Sequence, residues 1–97
     1  MHLEVITPEA MVFKGEVEAV QLPGLDGLFQ VLKGHAPIIS ALKAGDVKIN
    51  LSAPLDLEDE KLSSLIQHNP KDNKLISIPI HGGVIEMLNN KIIVLAE

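Results

Sequence analysis

His35 carries the most versatile side chain of this sequence, since an imidazole serves as general base, metal ligand or hydrogen-bonding group at an interface. It sits in the run Gly24-Leu25-Asp26-Gly27-Leu28-Phe29-Gln30-Val31-Leu32-Lys33-Gly34-His35-Ala36-Pro37, where three glycines and a proline constrain the backbone. A base or metal role needs a second His, Asp or Glu at ligand spacing, and the other histidines, His2, His68 and His81, are scattered. Asp56, Glu58, Asp59 and Glu60 form an acidic run without the glycine-centred loop and distal glutamate of a calcium site, and so suit a solvated helix start. Leu22-Pro23-Gly24 through Gly27 lacks both the Gly-Lys-Ser/Thr ending of a phosphate loop and the spacing of a dinucleotide fingerprint. Ser40, Ser52, Ser63, Ser64 and Ser77 lie in no nucleophile-elbow context. The expectation is a chain with no catalytic, cofactor or metal site. What remains is docking: Leu25, Leu28 and Phe29 are apolar residues in a glycine-bracketed segment that stays near solvent, with Lys33 and Lys43 flanking the stretch that follows.

Composition narrows the partners. The chain has 97 residues, a length for one domain and one modest core. Its 13 acidic residues outweigh 8 basic ones, all lysine, for a net charge of −5. Without arginine there is no bidentate grip on phosphate, and Tyr and Trp are absent as stacking platforms, so nucleic acid is excluded as a partner. No cysteine is present, which fits a reducing compartment. The start, Met1-His2-Leu3-Glu4-Val5, has the form of no leader, and no run is long and apolar enough to span a bilayer, so membrane association goes through a partner.

The elements that position these residues are strands, because the apolar content is branched-aliphatic and the only aromatics are Phe13 and Phe29. His2 to Ile6 predicts a strand, closed by Thr7-Pro8. Met11-Val12-Phe13 begins another, with a bulge expected at Lys14-Gly15, and Glu16 to Ala19 alternates until the phase switches at Val20, as at a sandwich corner. Pro37 to Lys43 and Val47 to Leu51 predict a hairpin turned by Ala44-Gly45-Asp46. Ile76, Ile78 and Ile80 alternate in a strand ended by Gly82-Gly83, and Pro79 marks it as an edge or bulge. Val84 to Leu88 and Lys91 to Leu95 flank Asn89-Asn90, a type I′ hairpin signature. Residues 55–67 predict a short helix capped by Asp56, with Leu62, Leu65 and Ile66 as its stripe. The sum is an all-β, antiparallel two-sheet sandwich or flattened barrel of about ten short strands in one domain over 1–97.

Taken in order, Leu3-Glu4-Val5-Ile6-Thr7-Pro8-Glu9, Val12-Phe13-Lys14-Gly15, Val17, Val20, Leu22-Pro23-Gly24, Gly27 and Gly34-His35-Ala36-Pro37 resemble the epsilon subunits of bacterial F-type ATP synthases. The resemblance continues through Ile39-Ser40-Ala41-Leu42-Lys43, Gly45, Val47-Lys48-Ile49, Gly82-Gly83 and Val94-Leu95-Ala96. It implies a non-catalytic rotor subunit of the central stalk, on the cytoplasmic face of the inner membrane, joining the gamma subunit to the ring of c subunits. By position it nominates Thr7, His35 and Ser40 toward gamma, and Asp26, Gly27, Leu28 and Phe29 toward the ring. Family members usually continue into an α-helical hairpin, which is absent from a chain that stops at Glu97, so the inhibitory and nucleotide-sensing roles of that hairpin are not expected here. Residues 52–74 are longer and more helix-prone than usual for the family, and Leu28-Phe29 makes the ring-facing loop more apolar.

Two rivals belong to other classes. A free-standing sandwich binding a peptide or small ligand along an edge would use the Pro79 strand. An enzyme would need a paired acid and base, and no such pair occurs at useful spacing.

Overall fold

The computed structural model describes residues 1–55 and 63–97. They form seven strands: β1 His2–Ile6, β2 Met11–Gly24, β3 Gly27–Leu32, β4 Ile38–Leu51, β5 Gln67–Asn69, β6 Asp72–Leu88 and β7 Lys91–Ala96. Hydrogen bonding runs β1-β7-β6-β4-β2-β3, with β5 on β6, and the additional β1–β2 pairing closes five strands into a flattened barrel. Six of these pairings are antiparallel, while β1 and β7 run parallel.

Three long strands build both layers. Along β4, Leu42 is buried and then Val47, Ile49 and Leu51, so the inward parity changes between them. Along β6 the change falls between Ile76, Ile78 and Ile80 on one side and Ile85 and Met87 on the other. The β4–β6 ladder keeps one register throughout, Ile38 facing Met87 and Asn50 facing Leu75, with Lys43 opposite Gly82 and Gly45 opposite Ile80 at the crossing. Both strands therefore turn over together and pass from one layer to the other. In β2 the same change is made by a bulge between Val17 and Ala19, the switch anticipated at Val20.

The first layer comprises β1, β7, the C-terminal half of β6, the N-terminal half of β4 and the start of β2. The second comprises β5, the rest of β6, β4 and β2, and β3. Each layer has five strand segments, which is how about ten short strands are carried by seven continuous ones.

Three local expectations are corrected here. Ala44-Gly45-Asp46 is a corner within β4 rather than a hairpin turn, and Gly82-Gly83 lies within β6 rather than ending a strand. Glycine suits both functions, and only the partner strand running past in unbroken register distinguishes them. The first bulge falls at Val12, opposite the Val5–Ile6 step, while Lys14 and Gly15 pair regularly with Glu4 and Leu3. This explains why Val12 and Phe13 are both buried. The helix expected over 55–67 falls largely outside the described residues; Leu55 and Ser63 to Ile66 are non-helical, and Gln67 opens β5.

Asn89 and Asn90 take positive φ, 52° and 65°, and close the β6–β7 hairpin as expected. Between the layers lies one cluster of branched aliphatic residues with Phe13, among them the fully buried Leu3, Val5, Val20, Leu22, Ile49, Ile78, Ile85 and Ile92. Among the described residues no polar or charged side chain is buried.

Candidate functional site

The outer face of the first layer is apolar at one end and charged at the other. Strand register sets out its rungs. Ala41, Val84, Leu95, Ile6 and Met11 face one another in turn across β4, β6, β7, β1 and β2. The next outward rung reads Ile39, Glu86, Ile93, Glu4, Lys14. Ile39 is 77% exposed and Leu95 55%, with Met11 and Val84 nearly as open. Isolated exposed aliphatics are unremarkable, but a rung of them in register is a contiguous patch of the kind that marks an interaction site.

At the charged end, His2 lies between two carboxylates. Its Nε2 donates to Glu4 Oε2 at 2.9 Å and its Nδ1 lies 3.2 Å from Glu16 Oε2, while Lys91 Nζ lies 3.8 Å from the same Glu4 oxygen. The cluster ties β1 to β2 and β7. The hydrogen bond from His2, helped by Lys91 and opposed by partial desolvation, holds the Glu4 carboxyl below the ordinary glutamate range. It is a joint between strands.

The nominated residues do not converge on one point. Thr7 follows the last residue of β1, its Oγ1 donating to the Ala10 carbonyl at 3.2 Å in the turn that leads to β2. It adjoins the apolar rung through Ile6. Ser40 has the inward parity of β4, half-buried, with its Oγ 3.5 Å from the Ala41 carbonyl; the outward residue beside it is Ile39. His35 is exposed in the β3–β4 connection, where its amide donates to the Leu32 carbonyl and its Nδ1 to the Ala36 carbonyl at 2.6 Å. β1, which Thr7 follows, and β4, which carries Ser40, are three strand spacings apart, about 14 Å, and His35 lies beyond the opposite end of the β4 segment. The three border a face rather than form a pocket.

The β2–β3 hairpin supplies a second exposed feature. Gly24 pairs with Gly27 across its tip and with Leu42 of β4, which brings the tip to the same end as the apolar rung. Leu25 and Leu28 are 61% and 66% exposed, and Asp26 is also open. Phe29 behaves differently: it points inward, half-buried, packed against the core and over Gly24, where an added Cβ would meet its ring at 2.9 Å. Sequence alone put Leu28 and Phe29 together, and strand parity separates them. Ile39, Val84, Leu95 and Met11 were missed because they are scattered along the chain; outward parity in a strand is a signal only once the register with its neighbours is known.

The Pro79 edge is real but short. β5 pairs with β6 as far as Ser77, β7 pairs from Gly83 onward, and Glu97 bonds the backbone of His81 and Gly82, so that among the described residues no strand covers Ile78 to Ile80 on that side. Three residues, one of them lacking an N–H, are too few to receive an added strand.

The fold and these surfaces define a class: a small all-β module with exposed apolar faces. The model of the ATP synthase delta/epsilon-chain β-sandwich domain matches residues 1–55. The chain is 41% identical over 95 residues to the ATP synthase epsilon chain of Chlorobium limicola, covering 98% of this chain and 86% of that one. It therefore belongs to the ATP synthase epsilon-chain family, a non-catalytic class of subunit. In fold it is similar to a chain in the Tetrahymena thermophila mitochondrial ATP synthase central stalk and c-ring, with TM-score 0.70, 13% identity, 99% of this chain and 62% of that one covered. It is similar also to a chain in the Euglena gracilis mitochondrial ATP synthase, with TM-score 0.72, 17% identity and coverages of 97% and 48%.

Proposed function

We propose that this chain is a rotor subunit of a proton-translocating F-type ATP synthase, acting as one sandwich domain that joins the gamma subunit to the membrane ring of c subunits. The outer face of the first layer, bordered by Thr7, Ser40 and His35, docks gamma. The hairpin tip at Asp26, Gly27, Leu28 and Leu25 meets the ring, with Phe29 bracing it from inside. On this reading the subunit sits peripherally on the cytoplasmic face of the inner membrane and is held there through the complex. It binds no cofactor. Its contribution is mechanical: a close-packed aliphatic sandwich resists deformation, so that ring rotation reaches gamma without slip at the joint.

The single observation that carries this is the in-register rung Ala41, Val84, Leu95, Ile6 and Met11, a contiguous apolar patch of the size that often serves as a contact surface. Five strands give a flat face of roughly 350 Å², under half of the ~800 Å² that one side of a standard interface buries. The remainder must come from its borders, which is where Thr7 and His35 lie.

Co-purification with gamma tests the assignment. Ile39→Asp with Leu95→Asp removes co-elution with gamma while leaving the isolated chain's melting midpoint unchanged. Leu25→Asp with Leu28→Asp retains gamma and loses attachment to c-ring membranes. A chain that never co-elutes with gamma, or both double variants assembling normally, defeats the proposal.

A further inference from the structure

The outer face of the second layer differs in chemistry from that of the first. A groove of about 580 Å³ crosses it. Its central rung is in register over five strands: Gln30 faces Gln21, Gln21 faces Lys48, Lys48 faces Ser77, and Ser77 faces Gln67. Asn50 lines the same groove one rung along. The rung spans four inter-strand spacings, about 19 Å. Side-chain amides donate and accept, as an extended main chain does, and Lys48, between the uncharged Gln21 and Ser77, fixes one anionic point on the rung.

Among the described residues no carboxylate lines the groove, in a chain of net charge −5. Among the described residues none lies within salt-bridge distance of Lys48. Phe13 and Phe29 are both packed into or against the core, so the groove has no Phe platform, and His68 at one end is the single ring among its described lining residues. Length, alternating hydrogen-bonding capacity and charge complementarity select the same occupant.

We propose that this groove binds an extended, acidic segment of polypeptide, about six residues long, with a carboxylate seated on Lys48 and its main chain on the glutamines either side. The site lies on the layer opposite the gamma-docking face and does not depend on it.

The test is an NMR titration of the full ¹⁵N-labelled chain with the probe acetyl-Gly-Gln-Glu-Asp-Gln-Gly-amide. Side-chain amide resonances of Gln21, Gln30 and Gln67 shift and saturate, and Lys48→Gln weakens binding about fivefold, as loss of one exposed ion pair does. The probe with both acids replaced by glutamine binds the unaltered chain about fivefold more weakly and is indifferent to Lys48→Gln. The proposal is overturned by any of four results: no shift at millimolar probe, shifts confined to Ile39 and Leu95, equal affinity for the neutral probe, or inorganic phosphate reproducing the shifts and displacing the peptide. Loss of gamma co-elution leaves all of these outcomes as they are, so the two proposals fail separately.

Discussion

At the scale of single residues, the charged end of the first layer is where protonation matters. Glu4 accepts from His2 and faces Lys91, and its pKa lies below the ordinary range chiefly because of the His2 hydrogen bond. A depressed carboxylate stabilises the fold at pH values above its unfolded pKa, about 4.3, and that contribution is lost as pH falls through the folded value. His2→Ala should therefore return the Glu4 titration, followed through its carboxyl carbon by NMR, toward the ordinary glutamate value. It should also flatten the acid limb of the melting-temperature curve. An unchanged Glu4 midpoint in that variant would assign the shift to Lys91 instead. None of this was legible from the sequence, where His2, Glu4, Glu16 and Lys91 have no motif in common; three strands bring them together.

The elements of this fold are defined by where long strands change layers. Gly83 carries the clearest constraint: its φ is +149°, and an added Cβ would run into the Leu95 carbonyl and press on Ala96 at 3.0 Å. Neither partner is the far end of a flexible side chain. Gly83→Ala should cost about 3 kcal/mol and lower the thermal midpoint on the order of 15 °C, with the β6–β7 pairing losing amide protection first. Gly27→Ala, at a positive φ but with open space around it, should cost only the backbone strain, about 1–2 kcal/mol. Equal effects of the two substitutions would show that the approach to Leu95 does not limit the corner. The β6–β7 hairpin was readable from Asn89-Asn90 because its turn chemistry is local. The β4 and β6 corners were not, because glycine in a strand gives the same composition as glycine in a turn.

Across the whole molecule, one aliphatic core supports two outer faces of opposite character. Ile85, fully buried beneath the first layer, is part of that support. Ile85→Ala should cost about 2–5 kcal/mol, a large share of the roughly 5–15 kcal/mol that holds such a domain together. Urea denaturation should register the loss as a lower midpoint with an unchanged slope. The faces themselves tolerate change: Lys48→Gln and Ile39→Asp alter exposed side chains, and their stability effects should stay within about 0.5 kcal/mol. The same unfolding curves check this, and a large destabilisation by either would mean that its face is structural rather than a place of contact.

The amino-acid order by itself determined the strand class, the aliphatic core, the terminal hairpin and the family, because alternation, turn residues and motif spacing are local properties of the chain. Only the tertiary structure decided which strands run through the corners, that Phe29 turns inward while Leu28 stays out, and that Ile39, Val84, Leu95 and Met11 share one surface. It also assembled the amide rung from five strands. These features depend on register between segments far apart in the chain, and a shift of one residue would exchange every inward side chain for an outward one.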